Sequence, residues 1–149
     1  MKKIILYLAL ILMPTMTFAQ DIFGKWRTDN NSAIVEVYQK GDVINAKIIW
    51  LAETMMPDGK TPVQDIYNPD KTLRERPVMG LDIIWDMVPN QDKWEGGKVY
   101  DPEHGKTYNC TLRVKNDVLK VRGSIGPFGK TLDWTRVSEN EFKTLSEQK

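Results

Sequence analysis

The chain has a single cysteine and a single histidine among its 149 residues. One thiol excludes an internal disulfide. Cys110 also falls within an alternating apolar segment, where a free thiol acts as a small buried hydrophobe rather than a nucleophile. His104 sits in a turn signal and has no companion at zinc-ligand or triad spacing, so neither a metal site nor a nucleophile–base pair is expected. Asp101 and Glu103 flank that turn, but the full calcium-loop pattern is missing. Charge of one sign is lacking too. Lys and Arg number 21 and Asp and Glu 20, with no basic run or acidic block, which removes the electrostatic reason to bind nucleic acid. No glycine-rich phosphate loop opens a helix; Gly96-Gly97 lies inside a strand pattern and marks a bend or bulge. No catalytic residue, metal or cofactor is expected, and the chain does not read as an enzyme.

Long hydrophobic runs are also absent. The longest stretch, Ile4 to Met13, covers ten residues, too short for a membrane-spanning helix. It follows Lys2-Lys3 and precedes Thr17-Phe18-Ala19, which together read as a signal peptide over residues 1–19 cleaved before Gln20. The expectation is a periplasmic or secreted bacterial protein with no membrane span after cleavage. What remains is 130 residues with nineteen basic and twenty acidic side chains. That length suits one domain able to bury a core without staples.

Short alternating runs separated by turn residues fill the mature part, and this period of two signals strands. Strands are expected at 24–28, 33–39, 43–51, 81–88, 93–100, 106–114, 118–124 and 130–137. Residues 52–79 break the rhythm with Pro57, Pro62, Pro69 and Pro77. Asn68-Pro69-Asp70 there reads as a helix start, predicting one short helix near 69–74. A long connection of this kind suits a lid. Residues 138–149 read as a loose polar C-terminal tail.

Eight short strands joined mostly by hairpins favour antiparallel neighbours, and closure removes two adhesive edges. The expected fold is therefore all-β, an eight-stranded antiparallel up-and-down barrel over residues 20–137, with a two-sheet sandwich as the alternative. Such an interior packs solid or holds one small ligand. By alternation Trp50 and Trp85 fall on the apolar faces of their strands, Tyr108 shares a face with Cys110 and Leu112, and Asp82, Asp86 and Asp133 point outward. Arg74 and Arg76 end the lid; Arg122 lies opposite Leu119 and Val121; Arg136 shares a face with Trp134. Trp50, Trp85, Tyr108, Arg74, Arg76, Arg122 and Arg136 form the candidate ligand-binding set. An inward Arg needs a carboxylate or an anionic ligand, and Asp65 or Asp70 would serve as structural partners. Two functions follow: binding of a small, largely apolar or amphipathic molecule, or a solid envelope interaction module with an unknown protein partner; an enzyme is a third reading, which Asp, Arg and Tyr converging in one pocket would revive.

Gly24-Lys25-Trp26, Asp65, Asn68-Pro69-Asp70, Leu73-Arg74, Arg76-Pro77 and Gly80 form a recognisable series with Trp94 to Pro102, Gly105-Lys106-Thr107-Tyr108, Leu119, Val121-Arg122-Gly123 and Trp134. In these residues the chain resembles a bacterial secreted family known as domain of unknown function two-one-four-seven, over roughly residues 24–137. The resemblance implies a lipocalin-like barrel and export. It implies no activity and carries over no catalytic residue.

Overall fold

A computed structural model describes residues 21–149. The expected signal peptide and its cleavage point lie outside the described residues. The strands are β1 (Gly24–Arg27), β2 (Ala33–Lys40), β3 (Val43–Leu51), β4 (Asp82–Asn90), β5 (Lys93–Glu95), β6 (Lys98–Asp101), β7 (Lys106–Lys115), β8 (Val118–Ile125) and β9 (Phe128–Val137). Each pairs antiparallel with its sequence neighbour or, for β1, also with β9. Pairing of β3 with β4 and of β6 with β7 completes the circuit. β5 and β6 are two halves of one strand broken at Gly96-Gly97, both reaching from β4 to β7, so the barrel has eight strands.

Val35, Ile44, Ala46, Ile48, Ile84, Met87, Leu112, Leu119 and Val121 face inward and form the core with Trp26 and Trp134. The break between β5 and β6 has a packing cause. A side chain on Gly97 would place its Cβ 2.1 Å from the Trp85 carbonyl oxygen, so the two backbones meet where only glycine fits. The partner strand bulges there as well. Ile44 faces Met87 while Ala46 faces Ile84, which sets two residues, Trp85 and Asp86, against the single Asn45, with Asp86 in the left-handed region at φ 60°.

The ends of the barrel differ. At one end the ring of Trp26 is fully buried, its Nε1 donating to the Ile22 carbonyl at 2.9 Å. The Arg136 guanidinium stacks on that ring with Cζ 4.1 Å from the centroid. Its Nε, Nη1 and Nη2 donate to Asp117 and to the carbonyls of Phe23 and Asp21. This end is sealed.

At the other end, residues 52–79 fold back across the opening. Bridges between Met55 and Pro62 and between Gln64 and Pro77 order the segment. Buried Val78 fixes it to the core, and its amide donates to the Val63 carbonyl at 3.0 Å. The short helix predicted near 69–74 is a single 3-10 turn, Lys71–Leu73, capped by the Asp70 carboxylate on the Thr72 amide. That contact, with the Thr72 hydroxyl bond first and the backbone bond second, holds the Asp70 carboxyl below its usual range.

The C-terminal residues correct the expectation of a loose tail. Glu139–Glu147 form α1, with the Ser138 hydroxyl accepting from the Glu141 amide. Half-buried Phe142 and Leu145 make an apolar stripe three residues apart. Ion pairs Lys25–Glu139 and Arg27–Glu141 tie the helix to the outer wall at β1, and Lys149 bonds the carbonyls of Leu51 and Ala52. No helix among the described residues is long and apolar enough to cross a membrane.

Candidate functional site: a barrel cavity and its lid

A cavity of about 730 Å³ runs from the mouth into the barrel. Its wall is apolar, built from inward residues such as Ile48, Ile83, Val99, Val121, Leu132 and Trp134. The lid contributes Met56, Val63, Ile66, Tyr67 and Val78. Charge is confined to the mouth, where Asp29, Glu53, Asp101 and Glu103 face Lys106 and Lys130. The lid meets the β6–β7 turn so closely that a Cβ on Gly105, at φ 64°, would lie 1.8 Å from the Tyr67 carbonyl oxygen.

A buried polar knot pins the lid to the wall. Asp65 is fully buried. Its Oδ2 accepts from Arg76 Nε at 2.9 Å, Arg76 Nη2 at 2.8 Å and Asn68 Nδ2 at 2.7 Å; its Oδ1 accepts from the Tyr100 hydroxyl at 2.5 Å. Burial pushes the Tyr100 phenol up to about 12, with the Asp65 hydrogen bond and its negative charge adding to the effect. Asp, Arg and Tyr thus converge, a combination that can serve acid–base chemistry. Here both carboxylate oxygens are taken up by the protein's own donors and none of Asp65 is exposed, so the group acts as a tie between lid and barrel.

The seven candidate residues fall in different places. Tyr108, opposite Val99 on the next strand, lines the cavity. Trp85 and Arg76 line a second hollow of about 440 Å³ beside the lid. Trp85 does not share the inner face of Ile83 and Met87 as alternation suggested. The bulge pairs it with exposed Lys98, while neighbouring Ile84 and Val99 point inward. Trp50 departs from Ile48 for the same reason. A register shift pairs it with Ile34 on the outer face, where the Lys149 ammonium sits 4.7 Å from its ring centroid. Arg74 donates to the Asn68 carbonyl within the lid. Arg76 takes the structural carboxylate Asp65. Arg122 lies exposed on the outer wall between Thr111 and Thr131. Arg136 seals the closed end.

Sequence reasoning placed a lid at residues 52–79 but named none of its cavity-lining residues, Met56, Val63, Ile66, Tyr67 and Val78, because no periodicity marks irregular chain. It also left Trp134 out of the set, although alternation put that ring opposite outward Asp133. Asp82 and Asp86 do lie outside the barrel: Asp82 accepts from the Tyr38 hydroxyl at 2.8 Å and from Asn45 at 3.3 Å, and Asn45 braces the Asp86 amide at 3.1 Å. Asp133 pairs with Lys120 at 2.6 Å on the outer wall. At the mouth Asp101, Glu103 and His104 bring ligand atoms within 4.8 Å of one another. His104 Nδ1 is already bonded to Asp101 at 2.7 Å, and its side chain is 67% exposed. This geometry fits a turn.

Residues 24–136 match the family described as "Uncharacterized protein conserved in bacteria (DUF2147)". The chain belongs to this family. No curated protein matches it. Among solved structures it is similar to protein HP1028 from Helicobacter pylori, described as belonging to the lipocalin family. The identity is 27%, the TM-score 0.72, and the match covers 85% of this chain and 89% of that one. The fold is accordingly lipocalin-like, with one sealed end, one lidded end and a hollow middle.

Proposed function

We propose that this family member is an exported carrier or sensor that holds a small, largely apolar or amphipathic molecule in the barrel. The observation that carries the reading is the cavity of about 730 Å³ with an apolar wall and charge only at its mouth. That size falls within the range of small-molecule pockets. The lipocalin likeness of the H. pylori structure supports it, and the Lys2-Lys3 start with Ala19 before Gln20 supports export. Native mass spectrometry of protein purified gently from the envelope fraction tests both parts. An adduct released by organic extraction, on a chain beginning at Gln20, is the expected result. A ligand-free mass combined with failure to take up 1-aminoanthracene refutes binding, and a cytoplasmic full-length chain refutes export.

A second reading is favoured by Ile125 and Phe128, which pair at the tip of the β8–β9 hairpin and are 60% and 80% exposed. They stand at the mouth end, next to cavity residues Gly123 and Lys130. Apolar side chains presented this way suit contact with an envelope partner. Double substitution to Ser removes cross-linking to that partner while leaving dye uptake intact, if this reading holds.

A further inference from the structure

The circuit of strands is closed unevenly along its height. β1 and β9 meet over three rungs, Lys25 with Val137, Trp26 with Arg136 and Arg27 with Thr135. β1 then ends in the β1–β2 turn, with the Thr28 amide donating to the Ala33 carbonyl at 3.0 Å. β9 runs on toward the mouth. From Phe128 to Trp134 it pairs with β8 alone, and no backbone bond among the described residues serves its other side. β8 differs, since β7 accompanies it as far as Ser124. Phe128 to Asp133 therefore form an open edge about 20 Å long. Alternate residues of such an edge turn an amide and a carbonyl toward the gap. The stretch is exposed apart from half-buried Leu132.

An unpaired strand edge is a template for another strand, and its surroundings select which one. Val118 to Leu132 carries Lys120, Arg122 and Lys130 and no acidic residue. Lys120 is taken by Asp133, whereas Arg122 and Lys130 have no ion pair among the described residues. Arg122 lies over Gly129, where an added Cβ would sit 2.6 Å from its Nη2, so its guanidinium rests on the edge strand itself. Lys130 belongs to the inner face, which it shares with cavity-lining Leu132. An incoming strand thus meets a cation on each face. Ile125 and Phe128 add exposed apolar side chains at the tip. A second copy of the chain is a poor occupant. Antiparallel pairing of β9 with β9 brings Lys130 and Arg122 of one copy up to those of the other.

Resting on the reading that the hairpin tip meets an envelope partner, we propose that the open edge of β9 takes up an extended acidic segment of that partner as an added strand. Backbone bonds run along Phe128 to Asp133. A carboxylate of the segment faces Lys130 or Arg122, and an apolar side chain packs on Phe128.

The test uses the chain from Gln20 onward, labelled with nitrogen-15, and the peptide acetyl-Thr-Val-Glu-Val-Thr-amide. One control peptide carries N-methyl groups on its three central residues; the other has lysine in place of glutamate. The acidic peptide slows hydrogen exchange at alternate amides between Phe128 and Asp133 and leaves those of Leu112 and Leu119 unchanged. Its affinity falls about tenfold on N-methylation, the loss of two or three backbone bonds, and about fivefold in Lys130→Glu, which the lysine peptide binds better than it binds the wild type. Equal affinity of the N-methylated peptide overturns strand addition, and equal affinity of the lysine peptide for the wild type overturns the preference for acid. Slow exchange of the same amides without peptide, together with a dimer in sedimentation, gives the edge to a second copy and overturns the proposal. Binding to phosphatidylethanolamine–phosphatidylglycerol vesicles through Phe128, with the β9 amides still exchanging, gives the tip to a lipid surface and overturns it too. If Ile125 and Phe128 cross-link to an envelope protein while the edge exchanges freely in the complex, the tip reading survives and strand addition falls. Absence of both cross-link and protection removes the two together.

Discussion

Replacing Asp65 with Asn tests whether the knot holds the lid. Asn is nearly the same size and can be placed in two ways. With its oxygen in the Oδ1 position, the amide nitrogen meets three donors from Arg76 and Asn68. With its oxygen in the Oδ2 position, those bonds survive, but the Asn68 bond is no longer charge-assisted, the Arg76 bonds lose the carboxylate's charge, and the Tyr100 proton loses its acceptor. The second placement is the better one. The one bond made neutral, from Asn68, costs about 1 kcal/mol, and an orphaned buried hydroxyl proton about 1–3 kcal/mol. The Arg76 side chain is 34% exposed, so water recovers part of the loss and the change stays below the 3–5 kcal/mol of a broken, fully buried pair. The expected destabilisation is about 2–3 kcal/mol, or a Tm lower by about 6–15 °C for a domain of this length. Circular dichroism melts measure the total, and native-state hydrogen exchange locates it. The amides of Asp65, Asn68 and Val78, bonded within the lid, lose protection first. Those of Leu112 and Leu119 change only with global stability. A loss below about 0.5 kcal/mol, or one spread evenly over the barrel, refutes the assignment of Asp65 as the tie.

The raised Tyr100 phenol makes the same knot alkali-sensitive. Its folded value of about 12 lies above the ordinary 10.0, so its contribution to stability is complete below pH 10 and disappears as pH rises through 12. Denaturant melts across that range show the decline, which Tyr100→Phe reduces. Gly97→Ala forces a Cβ into the Trp85 carbonyl and costs about 2–3 kcal/mol, read as a lower denaturation midpoint; a neutral effect contradicts the close approach. Arg136→Leu strips the cover from Trp26 and leaves two carbonyls unserved, for about 2 kcal/mol, with a shifted Trp fluorescence maximum at the closed end. Cys110 is buried, and burial pushes its thiol up to about 12. It stays unlabelled by a disulfide reagent at neutral pH until denaturant is added, and rapid native labelling would contradict its burial.

Strand positions were legible because inward Val35, Ile44, Ala46, Leu119 and Val121 keep strict alternation. The Asp65–Arg76 pair was legible as a structural option because each charge demanded a partner inside a proline-punctuated loop. Trp50 and Trp85 were not. One inserted residue reverses the facing of everything beyond it, and nothing local in Ile48 to Leu51 or Ile84 to Met87 announces the insertion. Asp86 takes a left-handed φ, which its residue type tolerates, where its backbone meets Gly97 and its amide donates to Asn45. α1 did carry a local signal that composition masked. Ser138 stands three residues before Glu141, the spacing of a capping box, within a segment polar enough to read as tail. The cavity stood open beside a solid core, because alternation says which side chains face inward and not how much space they leave.

The stacked Arg136 and Trp26 give the molecule a floor as well as walls. On the proposed carrier reading, a guest has one doorway, on the side covered by residues 52–79. Its residence time then depends on how often that segment opens, which the Asp65 tie restrains, and is separable from how snugly the guest fits.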